Sequence, residues 1–94
     1  MELTLIKQFL KVDFDDDDNI IQMMADVADK YINAAVGSCD YTDARVRLLA
    51  LVIITELYEK RSYSVEKAGV KAQYTIRSII AQLQAEQEMT DDEA

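Results

Sequence analysis

The longest apolar pattern lies in the middle of the chain. Residues 48–54 are all apolar, and Val46, Leu49 and Leu57 recur at helical spacing on one side of the same stretch. A helix that is apolar nearly all round is normally buried on several sides. Residues 43–61 therefore predict a central helix about 28 Å long, at 1.5 Å per residue. In so short a chain, a neighbouring subunit could cover part of its surface.

Two shorter patterns precede this helix. Residues 4–11 show a brief apolar stripe that predicts a first helix. Residues 17–36 predict a second helix, which Gly37 ends. On this second helix, the stripe expected to face the protein core consists of Ile20, Met24, Val27, Tyr31 and Ala35. Beside this stripe lie Ile21, Ala28 and Ile32. Thr42 is placed to cap the central helix, with Asp43 in its first turn.

The helical period breaks after the central helix. Residues 62–72 contain Gly69 and predict a loop or a small hairpin, and residues 74–88 predict a last helix. Residues 89–94 predict an acidic, solvated C-terminal tail. The expected fold is thus all-α, a small bundle of about four helices around the central one. It forms a single domain over residues 1–88.

Charge and composition narrow the function. The 94 residues include 10 basic and 18 acidic ones, for a net charge of −8. This charge argues against nonspecific binding to nucleic acid or anionic membranes, but it does not exclude a wall past which DNA slides without sticking. There is no secretion signal pattern and no apolar run of the ~20 residues that cross a bilayer. The single Cys39 cannot form an internal disulfide, and we expect the protein to be cytosolic when made.

The sequence contains few of the residue types that commonly carry catalysis. The sequence has no histidine, one cysteine and two glycines, so a histidine general base, a Cys/His metal site and a glycine-rich phosphate loop are all excluded. The aspartates at 13, 15 and 17 alternate as in a calcium loop, but Asp18 replaces the required glycine and Met24 the required glutamate. An enzyme with paired helical carboxylates would have to use Asp26, Asp29 and Glu56. We expect neither an enzyme nor a cofactor.

Several side chains are candidates for contacts with partners. Arg45 and Arg47 lie near the start of the central helix, where positive charge is unfavourable to the helix dipole. Tyr58, Tyr63 and Tyr74 bracket the predicted loop, and aromatic residues are frequent at protein interfaces, although they can equally pin a loop to its own domain. The candidate interaction residues are Arg45, Arg47, Tyr58, Arg61, Tyr63 and Tyr74.

The order of segments resembles a known family. A short helix ends in Phe9-Leu10-Lys11, and the aspartate-rich residues 12–18 follow it. An aliphatic helix then carries Ala-Asp-Lys-Tyr-Ile at residues 28–32, and an apolar helix ends in Leu-Tyr-Glu-Lys-Arg at residues 57–61. Together these features resemble the head–tail connector proteins of tailed bacteriophages, also called head-completion or adaptor proteins. The resemblance covers residues 3–84.

The resemblance implies a structural virion protein at the head–tail junction. Members are all-helical subunits that assemble into a ring, commonly of twelve copies, on the portal protein. The ring extends the DNA channel without binding DNA specifically and offers a platform for the next stopper or tail-completion protein. The alternative is a small acidic regulator or DNA mimic acting on a host enzyme, which would need carboxylates in phosphate-like rows on one face.

Overall fold

Four α-helices make up the described part of the chain. The structure is a computed structural model that describes residues 1–60 and 69–93, with side chains over 1–59 and 69–87. The helices are α1 (Leu3–Leu10), α2 (Asp18–Val36), α3 (Ala44–Lys60) and α4 (Val70–Glu93). Within these residues there is no β-strand. The predicted all-α fold of about four helices is confirmed.

Helix α3 lies at the centre of the bundle, as predicted. It packs against α1, α2 and α4, and α2 also packs against α1 and α4. Leu49, Ile53 and Ile54 are completely buried, and only Leu48, at 44% exposure, points a large apolar side chain away from the core. The buried residues of α3 are Val46, Leu49, Ala50, Leu51, Ile53, Ile54 and Leu57. The core of the domain therefore follows α3 along most of its length.

The side of α2 that was predicted to face the core is wrong. The helix is rotated about its own axis by part of a turn relative to the prediction. Ile20, Val27 and Tyr31 are exposed rather than buried. The side chains that meet the core are Ile21, Met24, Ala25, Ala28, Ile32 and Val36. At about 100° per residue, the apolar residues of α2 span more of its circumference than α1, α3 and α4 cover. One edge of that apolar arc stays outside the bundle.

The turn between α2 and α3 also differs from expectation. Gly37 ends α2 as predicted, with φ of 97° and its N–H donating to the carbonyl of Asn33. Thr42 does not cap α3, because its hydroxyl donates to Asp40 Oδ1 at 2.7 Å. The cap is Asp43, whose Oδ1 accepts from the Arg45 backbone N–H at 2.9 Å. An ionised acceptor suits the positive end of the helix dipole.

Helix α4 is longer than predicted. It begins at Val70, so residues 70–72 are helical rather than part of a loop, and it continues to Glu93 through most of the predicted tail. The physical reason is that the sequence contains no proline, and no glycine after Gly69, to break the helix. The backbone N–H of Gly69 donates to Glu56 Oε2 at 3.3 Å, which ties the start of α4 to α3. Residues 61–68, the rest of the predicted loop or hairpin, lie outside the described residues.

Candidate interaction surfaces

Arg45 joins two helices of the bundle. Its guanidinium lies 2.9 Å from Asp43 Oδ2 and 2.6 Å from Glu86 Oε2. Its position near the start of α3 opposes the dipole of that helix, but Asp43 and Glu86 supply the compensating charge. The bond from the Arg45 side chain is also the main cause that lowers the pKa of Asp43. Arg45 thus links α3 to the end of α4 within one subunit.

Two other predicted interaction residues also have partners inside the subunit. Arg47 donates through Nη1 to the backbone carbonyls of Tyr41 and Thr42, at 2.7 and 3.4 Å, and so holds the turn before α3. The Tyr58 hydroxyl donates to Asp17 Oδ2 at 2.6 Å. Through these contacts, both side chains stabilise the fold of the subunit. A further role of either residue in binding a partner stays a prediction.

Among the predicted interaction residues that the structure describes, Tyr74 is the most exposed. It is 74% exposed, and Val70, one turn before it on α4, is 87% exposed. Lys71 and Arg77 are exposed on the same part of the helix. We call these four residues the α4 outer face. Arg61 and Tyr63 lie outside the described residues.

Within the described residues, α2 carries the most exposed large apolar side chains, and the sequence analysis had assigned several of them to the core. Ile20, Met23, Val27 and Tyr31 follow one another at spacings of three or four residues and are 39, 67, 47 and 36% exposed. These residues form a continuous stripe, which we call the α2 outer face. Single exposed apolar residues are ordinary, whereas a continuous apolar stripe is typical of a binding surface.

A signal for this face is present in the sequence. Apolar residues occupy α2 over about 220° of its circumference, counting about 100° per residue, whereas a helix that covers one core needs an arc of little more than 100°. The excess width indicates that one core cannot cover the whole apolar arc, and that part of it stays exposed on the subunit. Periodicity alone does not indicate which half of the arc meets the core.

The aspartate run before α2 is engaged by α1. Lys7 Nζ lies 2.7 Å from Asp15 Oδ1 and 2.9 Å from Asp18 Oδ1. Hydrogen bonding to Lys7 lowers the pKa of Asp15, and bonding to Asp15 and Asp18 raises the pKa of Lys7. Asp15 and Asp18 therefore link the start of α2 to α1 through Lys7.

The carboxylates do not build a metal site among the described residues. No group of three or more potential ligands is close enough there to hold an ion. Asp40, Asp43 and Glu86 do line a shallow cleft of about 220 Å³ between the α2–α3 turn and the end of α4. Two of them, Asp43 and Glu86, already bind Arg45.

In the described part of the chain, no helix is both long and apolar enough to cross a bilayer.

Comparison with known proteins gives one match. No curated protein and no solved structure matches the chain. A family model described as phage gp6-like head–tail connector protein matches residues 1–88, which is nearly the whole of the 94-residue chain. This match agrees with the order of segments in the sequence and with the all-helical fold. The chain therefore belongs to the phage head–tail connector family, whose members are structural proteins of the virion.

Proposed function

We propose that this protein forms a homo-oligomeric ring at the head–tail junction, where it docks on the portal protein and lengthens the DNA channel. The opposite side of the ring then offers a platform for a stopper or tail-completion protein. Membership of the connector family supports a place between head and tail. The observation that carries the ring itself is the α2 outer face, a stripe of four exposed apolar side chains along one helix.

A connector subunit needs several contact surfaces, since it touches two neighbours in the ring and further proteins on either side. The described residues include exposed large apolar side chains on all four helices, with two or more on α1, α2 and α4. Leu5 and Phe9 are 38 and 44% exposed on α1, and the α2 and α4 outer faces add two further surfaces. This distribution favours a structural subunit with several partners over an enzyme with one concave site.

The net charge of −8 suits the passage of DNA. A ring repeats this charge in every copy, and repulsion between carboxylates and phosphates opposes adhesion of DNA to the channel wall. Among the predicted interaction residues, we propose that Tyr74, Arg61 and Tyr63 contact partner proteins. Arg45, Arg47 and Tyr58 would instead mainly hold the shape of the subunit, given their internal partners.

Native mass spectrometry and electron microscopy, with and without the cognate portal, test this proposal. We expect the chain to form a closed ring on the portal, and an isolated monomer is compatible with assembly templated by the portal. A chain that stays monomeric and ignores its portal would contradict the proposal. A gene position just downstream of the portal and capsid genes would be independent support. Competition with DNA for a host nuclease or polymerase would point to an acidic regulator instead.

A further inference from the structure

We propose that the α4 outer face of one subunit packs against the α2 outer face of the next, in a head-to-tail contact between two copies of this chain. This inference rests on the proposed ring and identifies the surfaces that close it. A ring requires two different, complementary surfaces on each subunit, because a self-complementary patch gives dimers instead. The two outer faces are the apolar surfaces in the described part of the chain that also differ in charge.

The α4 outer face is basic on an acidic protein. Lys71 and Arg77 flank the exposed Val70 and Tyr74. Neither cation takes part in an ion pair within the described residues, whereas Lys7 and Arg45 are each bound to two carboxylates. Exposed tyrosine and arginine side chains, such as Tyr74 and Arg77, are enriched in protein interfaces. This face is therefore suited to a partner surface that is apolar and acidic.

The α2 outer face is apolar and has acidic residues near the start of the helix, as such a partner surface requires. Asp26 is exposed beside Met23 and Val27, and Asp16 is exposed just before the helix begins. Lys30 lies one turn beyond Asp26, so the acidic character is confined to the first half of the helix. Tyr74 and Val70 would cover the apolar stripe, and Lys71 and Arg77 would meet Asp16 and Asp26. Opposite charges at the edge of an apolar contact fix its register and exclude the contact of either face with itself.

Charge exchange between two variants tests this contact. In the first variant, Asp16→Lys and Asp26→Lys make both faces basic. In the second variant, Lys71→Asp and Arg77→Asp make both faces acidic. We expect each variant alone to form rings on the portal at least about tenfold less efficiently than the natural chain, because like charges then meet at every contact. We expect an equimolar mixture to restore rings of alternating subunits, because each contact regains opposite charges.

The outcomes separate this inference from the proposed function. Circular dichroism confirms that both variants fold, and Lys11→Glu, at the residue that follows α1, is a control for added negative charge elsewhere on the subunit. If the natural chain forms rings and both variants do so equally well, the assigned contact is wrong and the ring function stands. If the acidic variant assembles alone but the basic one does not, the α2 faces meet another surface and the inference is also wrong. If the natural chain neither forms rings nor binds portal, the proposed function fails.

A position-specific crosslink gives a second measurement. Met23→Cys and Tyr74→Cys are placed in separate chains that carry Cys39→Ser, so that no other thiol is present. Under mild oxidation on the portal, we expect a disulfide between the two different chains and little between identical ones. Crosslinks that form only between identical chains would overturn the head-to-tail arrangement.

Discussion

The hydroxyl of Tyr58 donates a hydrogen bond of 2.6 Å to Asp17 Oδ2 across 41 residues of sequence. Tyr58 is near the end of α3, and Asp17 immediately precedes α2. The bond therefore fixes the start of one core helix to the end of another. The Asp17 side chain makes no capping hydrogen bond to the start of α2.

Removing this bond should weaken the fold without abolishing it. We expect Tyr58→Phe to lower the free energy of unfolding by about 1 kcal/mol, because a partly buried hydrogen bond to a carboxylate is lost. Urea denaturation measures the change. A double-mutant cycle with Asp17→Ala isolates the pair from the other contacts of Asp17. A coupling energy near zero would show that the two groups do not act together in solution.

The central position of α3 predicts that alanine substitutions at two of its residues differ greatly in their effect on stability. Ile53 is completely buried and Leu48 is 44% exposed. We expect Ile53→Ala to cost about 3 kcal/mol of stability, because it leaves a cavity among packed helices, and Leu48→Ala to cost less than about 1 kcal/mol. Chemical denaturation of the isolated subunit compares them. Equal losses would mean that α3 is not the centre of the core.

Gly37 should be difficult to replace because of its backbone. Its φ of 97° is unfavourable for residues with a Cβ, and an added Cβ would meet its nearest neighbour, Gln87 Nε2, at an ordinary 3.9 Å. We expect Gly37→Ala to lower stability by about 1 kcal/mol through conformational strain. Gly37→Asn should cost less, since asparagine tolerates this region better. Thermal unfolding of both variants provides the test, and an alanine variant as stable as the natural chain would contradict it.

Acid should loosen the turn between α2 and α3. Hydrogen bonds from Arg45 lower the pKa of Asp43 below 3.8, and those from Thr42 do the same for Asp40. The unfolded chain then binds protons more readily than the folded one. The stability from these groups is present above pH 3.8 and is lost as the pH falls through their folded pKa values. We expect Asp43→Asn, which keeps a capping oxygen, to flatten this acid dependence.

Asp29 provides a control, because its pKa is shifted in the opposite direction to those of Asp40 and Asp43. Burial is the main cause that raises its pKa above 3.8. Its contribution to stability is therefore present below that pH and is lost as the pH rises through its folded pKa. Asp29→Asn should make the acid dependence steeper, and Asn can still accept the hydrogen bond from Tyr41. Unfolding midpoints between pH 2 and 6 distinguish the variants. Identical profiles for all three proteins would refute the predicted pKa shifts.

The sequence by itself determined the all-α class, the central helix and the end of α2 at Gly37. These features depend on local pattern, because a run of apolar residues at 48–54 allows few other structures and a glycine ends a helix readily. The family also followed from the order of local segments along the chain. The absence of histidine similarly limited the chemistry without any knowledge of the fold.

Only the tertiary structure decided which half of the apolar arc of α2 is buried. The arc is wide enough for either choice, and the positions of α3 and α4 select Ile21 and Ala28 while leaving Met23 and Val27 outside. Tertiary contacts likewise gave Arg45 and Tyr58 internal partners that are 41 residues away in sequence. The physical reason is that helical periodicity specifies the directions of side chains around one helix, whereas burial depends on which neighbours that helix meets.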